Sequence, residues 1–418
     1  MKAPITRREA IYLGVGGVIA SVAAEAGIDS AAAAGPAVAS AAEPANAASC
    51  RPFLTSAHDF DDVSRGHPVP YSLTGDALVK ACLTPETWRL EIVAEDGASI
   101  AKPLQLSDDT ALDFPGLLKL GERHGVRFLK ALQCNNIAFP LGQGLWEGVP
   151  LRDVLGARGV LTEVRRVYYW GFHNDDPKQL FRSSLALNQV LDTPPGMLPP
   201  FVAYRLNGEP IPLVRGGPVR MVVPWAHGFK SVKWLQKIVL TNKYEANDTY
   251  AEAKNDPESY LKTAAYFDDV RPATFALDGP IEIRGTAMVG WPGLERIEYW
   301  LRPDPGTNQP LADNDPAWAA AQWKPAAIDA PPADWGGGLP AGVLPKDVWG
   351  FDAAGRPREW PMRYSIAHWT ATIADLKPGR YEMLVRSVDA NGFAQPQPRP
   401  NQRSGRNRVQ SKVIVVGH

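Results

Sequence analysis

Hydrophobic and polar positions alternate along this chain in short stretches, and few stretches repeat with the period of a helix. In the first half, alternation and β-branched or aromatic residues predict short strands, with short helices between them. This mixture predicts one α+β domain over residues 50–245. The predicted strands are 87–93, 104–106, 126–132, 164–172, 201–206 and 219–223, and 232–239 is predicted as a strand or a turn. The predicted helices are 113–120, 151–155 and 178–190.

The pattern changes after a polar, tyrosine-containing bridge at residues 241–269. Short strands separated by Gly, Pro and Asp turns are typical of an immunoglobulin-like sandwich, which we expect over residues 246–418. The segment 303–363 is too long for a hairpin loop and holds five tryptophans, so we expect an insertion that packs against the first domain. The candidate strands are 281–288, 294–301, 366–373, 381–388 and 412–416.

Residues 1–49 have the character of a targeting segment and linker. Arg7 and Arg8 precede an apolar stretch, 11–24, and Ala45-Asn46-Ala47 is a plausible cleavage site. This order is typical of a twin-arginine export signal and predicts a periplasmic protein. A membrane anchor is the alternative, but the apolar stretch is shorter than the ~20 residues that span a bilayer.

Composition narrows the function classes. The 418 residues carry a formal net charge of −1, so nucleic-acid binding has no electrostatic support. The hydrophobic content of 45% and charged content of 21% are ordinary for a globular protein.

Three cysteines occur, at positions 50, 82 and 134. In an oxidising compartment Cys50 and Cys82 could pair and leave Cys134 as a thiol. A lipid on Cys50 is a further alternative, but no apolar run directly precedes it. No Cys-x-x-Cys-His motif is present, so no covalently attached haem is indicated.

Cys134 follows a predicted strand and precedes a loop, 135–144, that is rich in Asn and Gly. A thiolate in that place is a soft metal ligand or a nucleophile. A lone cysteine is also often a small buried hydrophobe. The residue by itself leaves both interpretations open.

Several sequence motifs lie before and after Cys134 in the chain. They are Arg65-Gly66-His67-Pro68-Val69-Pro70, the stretch WEGVPLRDVL at 146–155, and the stretches NGEPIP, GPVRMVVP and SVKWL at 207–212, 217–224 and 231–235. Together they resemble the sulfite oxidase family of molybdopterin enzymes, which includes bacterial sulfite and sulfane dehydrogenases. The stretches 379–381 and 385–392 resemble that family's immunoglobulin-like dimerisation domain.

The resemblance implies a molybdopterin cofactor with molybdenum, and Cys134 as its protein ligand, since soft sulfur suits this metal. Arg65 is implied to lie near the metal and to attract an oxyanion substrate. Arginine can hold two phosphate oxygens in a fork. The implied cofactor-binding residues are Arg65, His67, Cys134, Arg220, Gly228, Ser231 and Lys233.

Three positions depart from the family pattern. Asn135 to Phe139 lack a basic residue that the family carries after its cysteine, and Arg215 replaces a histidine. Phe181 occupies the position that aligns with the family's active-site tyrosine. The sequence therefore predicts that this catalytic position has no phenol hydroxyl. These changes put sulfite itself in doubt; Arg182 or Arg358 could restore the charge.

The sequence thus predicts an exported molybdenum oxidoreductase that moves an oxygen atom to or from a small anionic sulfur compound. Electrons would pass to a separate carrier such as a c-type cytochrome, and the protein would be a homodimer or hetero-oligomer. One alternative is a non-catalytic binding or structural protein on the same scaffold. Another is a sulfoxide-reductase-like enzyme, although such enzymes usually lack the C-terminal sandwich.

Overall fold

The structure is a computed structural model that describes most of the chain after residue 52. The predicted export signal, Cys50 and three residues of the loop after Cys134 lie outside the described residues, so the predictions about them stay predictions. Described are residues 53–134, 137, 139–174, 176–251, 256–258, 260–307, 311–312, 315–333, 335, 338–396 and 408–417.

The first half contains short strands and short helices, which agrees with the predicted mixed α+β class. The strands are β1 (Arg89–Glu95), β2 (Ser99–Ile100), β3 (Leu112–Asp113), β4 (Val126–Leu132), β5 (Gly142–Pro150), β6 (Leu161–Thr162), β7 (Arg166–Gly171), β8 (Arg182–Ala186), β9 (Phe201–Leu206), β10 (Glu209–Pro210), β11 (Arg220–Val222) and β12 (Leu235–Thr241). The helices are α1 (Asp76–Lys80), α2 (Phe114–His124), α3 (Leu151–Gly156) and α4 (Leu187–Leu191), with 3-10 turns at Val69–Ser72, Pro177–Gln179, Leu213–Arg215 and Gly228–Lys230.

Ten of these strands form two five-stranded sheets, and the other two, β2 and β6, pair with each other. One has the order β3-β1-β12-β7-β8, in which β1 and β12 run parallel. The other has the order β10-β9-β5-β4, with β11 also paired to β9. The Asn207-Gly208 turn that joins β9 to β10 has φ values of 53° and 82°, as a two-residue hairpin requires. Strands β4 and β11 both belong to the second sheet, with β5 and β9 between them.

The C-terminal half is made almost entirely of strands, as the alternating pattern predicts. They hydrogen-bond in the order β13-β15-β18-β17-β16-β19-β20-β14 and enclose a separate apolar core around Trp369, Val385 and Ile414. The immunoglobulin-like class stays a prediction. The elements are β13 (Ala264–Phe267), β14 (Ala273–Phe275), β15 (Ile281–Met288), β16 (Arg296–Pro303), β17 (Lys324–Ile328), β18 (Ile366–Ile373), β19 (Gly379–Val388), β20 (Gln410–Val416) and α5 (Ala317–Ala320).

The predicted insertion, 303–363, contacts the first half of the chain. Trp335 packs edge-on against Phe53 with ring centroids 4.6 Å apart. Val348 bridges to Arg127 just before the buried part of β4. The backbone N–H of Ala131 donates to the carbonyl of Tyr364, the first residue after the insertion, at 2.8 Å. The insertion therefore supports the strand that leads to Cys134.

The predicted helix at 178–190 is wrong. A 3-10 turn, the strand β8 and the short helix α4 occupy this stretch. Strand β8 pairs antiparallel with β7, and its Ser183 and Ser184 hydroxyls donate to Asp248, 64 or 65 residues away. This long-range contact overrides the local helical propensity.

Two smaller differences concern strands. The predicted loop 135–144 ends at Gly142, where β5 begins, and this strand runs through the expected Trp146 segment. Its nearly continuous burial hides the alternation that marks a half-exposed strand. The predicted strand 104–106 is reduced to a single bridge between Ile92 and Leu104.

None of the helices in the described part of the chain is both long and apolar enough to cross a membrane.

Candidate functional site

Gln133, the residue before Cys134, is held by hydrogen bonds to two other parts of the chain. The Gln133 carbonyl accepts from the backbone N–H of Gly228 at 2.7 Å. The Gln133 side chain donates to the Tyr266 hydroxyl at 2.6 Å. Cys134 itself is half-buried. The thiol therefore lies where the end of β4 meets the 3-10 turn at Gly228–Lys230.

We call Arg220 together with residues 228–233 the cradle. Arg220 is buried and donates to the carbonyl of Arg215 at 2.7 Å and to that of Ser231 at 2.6 Å. The Ser231 hydroxyl accepts from the N–H of Val223 at 3.1 Å. Arg220 and Ser231 therefore shape the backbone of the cradle. The Arg220 Nε is buried and has no hydrogen-bond partner among the described residues.

Lys233 closes the other end of the cradle. Its Nζ donates to Asp62 Oδ1 at 2.8 Å and to the Tyr71 hydroxyl at 2.7 Å. Burial lowers the pKa of Lys233 to about 8, and the positive charge of Arg220 acts in the same direction. Burial acts to raise the pKa of Asp62, but its contacts with Lys233 outweigh burial and hold that pKa below its usual value.

A glycine is required where the chain turns against Lys233. Gly216 has φ +94°, a backbone conformation that favours glycine. A Cβ at this position would lie 2.7 Å from the Cβ of Lys233. Gly228 differs, because a Cβ there would meet the Gln133 carbonyl oxygen at 3.4 Å, an ordinary contact. The protein around Gly228 therefore does not by itself explain the glycine.

Positive charge is concentrated in and around the cradle and is only partly matched by negative charge. Lys130 on β4 is fully buried and donates only to the carbonyl of Ala131, at 3.0 Å. Burial lowers the pKa of Lys130 to about 7 and that of Arg220 to about 10. Of Lys130, Arg215, Arg220 and Lys233, only Lys233 has a carboxylate partner in the described part of the chain. Buried charges without partners are costly, so this region favours an anionic ligand.

Arg65 and His67 lie outside the cradle, on its rim. Arg65 is half-buried, and its carbonyl lies 3.1 Å from Nε2 of His173. Burial lowers the pKa of His173, with the charges of Arg65 and Lys233 adding to that effect. His67 is exposed and makes no hydrogen bond to any described residue. The structure thus ties the backbone of Arg65 to His173 and shows no such bond for His67.

A phenol that the sequence analysis missed lies beside Phe181. The rings of Phe181 and Tyr250 pack edge to face with centroids 5.8 Å apart. Burial raises the pKa of Tyr250, the charge of Arg65 lowers it, and the charge of Cys134 raises it. Tyr250 is therefore within electrostatic range of Arg65 and Cys134, two of the three predicted catalytic residues. The one signal for it in the sequence was its place in the tyrosine-containing bridge, 241–269.

The arrangement combines a thiol, several cations and a phenol. Among the described residues, no group of three or more His, Cys, Asp or Glu side chains could hold a metal ion. A metal at Cys134 would need most of its ligands from a cofactor. An anionic cofactor with soft sulfur ligands fits the donor set, because the buried cations and the Arg220 Nε would gain partners and the thiolate would complete the metal's coordination.

Comparisons with known proteins agree with this donor set. Residues 77–249 match the family model "Oxidoreductase molybdopterin binding domain". Human mitochondrial sulfite oxidase is 32% identical over 183 residues, which cover 41% of this chain and 32% of the human protein. The sulfite oxidase of Drosophila melanogaster is 32% identical over 261 residues, which cover 55% of this chain and 44% of the Drosophila protein.

A solved structure shares the fold over most of the chain. The sulfane dehydrogenase SoxCD of Paracoccus pantotrophus superposes with a TM-score of 0.56 at 17% identity. The match covers 90% of this chain and 96% of the SoxCD chain. This chain spans about a third of the length of the human and macaque sulfite oxidases that it matches. Residues 77–249 are therefore a molybdopterin-binding oxidoreductase domain of the sulfite oxidase type, and the cofactor of this domain is a molybdenum–molybdopterin group.

Proposed function

We propose that the protein is an exported oxidoreductase that moves an oxygen atom to or from a small anionic sulfur compound. One observation carries the proposal: the Gly228 N–H to Gln133 carbonyl bond of 2.7 Å holds a cysteine thiol against a cation-rich cradle. When bound, the molybdenum–molybdopterin group supplies two-electron redox chemistry and the site of oxygen transfer.

The residues of this chain divide the remaining work. Cys134 supplies the soft sulfur ligand to the metal. Arg220 and Lys233 supply positive charge to the anionic parts of the cofactor, and Gly228 and Ser231 shape the backbone beside it. Burial strengthens these contacts because the local dielectric is low. The cradle therefore binds and orients the cofactor but takes no part in the chemistry.

Arg65 and Tyr250 face the substrate in this proposal. Arg65 attracts the anionic substrate, and the Tyr250 hydroxyl donates a hydrogen bond to the oxygen that is being moved. Phe181 supports the ring of Tyr250, at 5.8 Å, and excludes water from that side. In this assignment Tyr250 provides the phenol hydroxyl that is absent at position 181.

The substrate class follows from charge. Asn135 to Phe139 offer no basic side chain. A dianion such as sulfite would meet fewer cations here than the family pattern provides, which favours a substrate with less charge or more apolar surface. The charges of Arg65 and Cys134 both act on the pKa of Tyr250, which favours an enzyme over a non-catalytic scaffold.

Export and electron transfer complete the proposal. Arg7 and Arg8 before an apolar stretch support the twin-arginine route and a periplasmic location. No Cys-x-x-Cys-His motif is present in the sequence, so the proposed electron acceptor is a separate c-type cytochrome or similar carrier. The proposed assembly is a homodimer or a hetero-oligomer with that carrier.

Two measurements test the proposal. Metal and pterin analysis of protein exported from a host that makes the cofactor should find molybdenum and pterin bound together. A reductive titration of the molybdenum signal against a panel of sulfur oxyanions and sulfoxides should then identify a reducing substrate. Protein that lacks both metal and pterin would contradict the enzyme assignment and support a binding role.

A further inference from the structure

One buried ion pair connects the cradle to the segment that carries Tyr250. Lys230, in the cradle, donates from Nζ to Asp248 Oδ1 at 2.6 Å. Each side chain is only 2% exposed. Asp248 lies two residues before Tyr250, and Lys230 lies two residues after Gly228. The pair therefore spans the two parts of the proposed site.

Further donors surround Asp248. The Ser183 hydroxyl donates to its Oδ1 at 2.8 Å, and the Ser184 hydroxyl donates to its Oδ2 at 2.6 Å. Lys230 also donates to the Ser184 carbonyl at 2.6 Å. A carboxylate with three donors, one of them a cation, is held in one orientation.

The backbone that follows Asp248 is hydrogen-bonded to the start of β8. The N–H of Thr249 donates to the carbonyl of Arg182 at 3.0 Å, and the Arg182 N–H donates to the Thr249 hydroxyl at 2.7 Å. The Ala251 N–H donates to the Asp248 carbonyl at 2.8 Å. The segment 248–251 is thus attached to the start of β8, where Phe181 also packs on Tyr250.

The other side of Lys230 is also fixed. Its carbonyl accepts from the buried Tyr169 hydroxyl at 2.9 Å. Burial lowers the pKa of Lys230, whereas the charge of Asp248 acts to raise it. Removing one member of such a pair leaves an uncompensated buried charge. The position of Asp248 therefore depends on a lysine whose backbone belongs to the cradle.

We propose that Lys230 and Asp248 are positioning residues that hold Tyr250 in place relative to the cofactor cradle. This inference rests on the proposed function, since it assigns the pair to the placement of the substrate-facing phenol. In this account Asp248 affects turnover only through Tyr250. Neither residue contacts the substrate or the metal.

A double-mutant cycle of Asp248→Asn and Tyr250→Phe in the cofactor-loaded protein tests the proposal. Asp248→Asn should lower kcat by about 10-fold with cofactor content unchanged, as loss of a supporting contact does. In Tyr250→Phe, where no hydroxyl remains to be positioned, the added Asp248→Asn change should lower kcat no further. Two losses that simply multiply would overturn the proposal, because Asp248 would then act independently of Tyr250.

A second measurement does not depend on turnover. Amide hydrogen exchange over residues 248–251 should quicken in Asp248→Asn and, to a smaller degree, in Ser183→Ala, which removes one donor and uncovers no charge. Unchanged exchange in both variants would overturn the proposal. If the wild-type protein lacks molybdenum, the proposed function fails while this exchange result still reports on the ion pair.

Glu382→Gln provides the matched control. It breaks the Arg302–Glu382 pair in the C-terminal sheet, where the two side chains are 20% and 8% exposed. A general effect of losing a buried ion pair would appear in this variant as well. The proposal expects unchanged kcat and unchanged exchange at 248–251; a kcat loss equal to that of Asp248→Asn would contradict it.

Discussion

The cradle and the rim of the site are built differently. In the cradle, Arg220 and Ser231 are buried and donate or accept several hydrogen bonds each, as does the largely buried Lys233. On the rim, Arg65 and Tyr250 are half-buried, and His67 is exposed. The side chain of Arg65 makes no hydrogen bond to a described residue, and neither does that of Tyr250.

This difference separates two tasks. The cradle is fixed by its own contacts before any ligand arrives, so its cations lose little freedom when the cofactor binds. The rim has side chains with few protein partners, which can pair with a substrate instead. We therefore expect changes in the cradle to alter cofactor retention, and changes in the rim to alter turnover or substrate choice.

The largest expected effect comes from the thiol between the two regions. Cys134→Ser should lower turnover by at least about 100-fold. Loss of a residue that only supports a metal ligand lowers activity by about 10- to 100-fold, and loss of the ligand itself should lower it further. Steady-state assays with the identified substrate measure it. Cys82→Ser, at the other described thiol, is the control and should keep full turnover. Full turnover in Cys134→Ser would show that this residue is not the ligand.

In the cradle, Arg220→Met should lower cofactor retention by about 10- to 100-fold. The stability of the cofactor-free protein should change much less, since loss of two hydrogen bonds is offset by removal of an unpaired buried charge. Metal content and chemical denaturation measure the two effects. Arg205→Met, at a 41%-exposed arginine paired with Glu147, is the control. Equal metal content in Arg220→Met and Arg205→Met would argue against the cradle as the cofactor site.

On the rim, Tyr250→Phe should lower kcat by about 10- to 100-fold while metal content stays unchanged, because only one hydrogen bond to the reacting oxygen is lost. Steady-state kinetics with parallel metal analysis checks this split. Tyr244→Phe changes a tyrosine that is 72% exposed and should have no effect. A loss of metal in Tyr250→Phe would show that Tyr250 helps to retain the cofactor, as the cradle residues do.

Lys130 should make stability depend on pH. Burial lowers its folded-state pKa to about 7 from 10.5, so between these values the unfolded chain binds more protons than the folded one. Stability therefore rises with pH in this window, by at most about 1.4 kcal/mol per pH unit from this group. Denaturation of the cofactor-free protein at pH 7 and pH 9 should show a smaller rise in Lys130→Met. Equal rises in both proteins would show that Lys130 does not titrate there.

The smallest expected effect is at His67. The family resemblance assigns it to the cofactor, but its exposed side chain makes no hydrogen bond to the described residues. His67→Ala should therefore change cofactor retention by less than about threefold, which is below one typical hydrogen bond. Metal analysis after dilution and extended dialysis measures it. A loss comparable to that of Arg220→Met would restore the cofactor role predicted from the motif.

The same contrast explains how much the sequence predicted. Strands with one exposed face, such as β15 and β18, have clear alternation and were predicted with their observed bounds. Strand β4 was also predicted, since its run of buried residues ends at recognisable loop residues. The family motifs identified the cofactor because they lie in continuous stretches around Cys134, Arg220 and Lys233.

Features that depend on distant contacts were not predicted. Strand β8 was assigned to a helix because its serines face Asp248, a residue that local periodicity cannot connect to it. Tyr250 was missed for the same reason, since only the fold brings it beside Phe181. The unpaired charge of Lys130 also became visible only from its burial.

The most direct test of the central claim is X-ray absorption at the molybdenum edge of wild-type protein and Cys134→Ser, both loaded with cofactor. The account predicts one fewer sulfur neighbour of molybdenum in the variant. An identical sulfur count in the two proteins would contradict the assignment of Cys134 as the protein ligand.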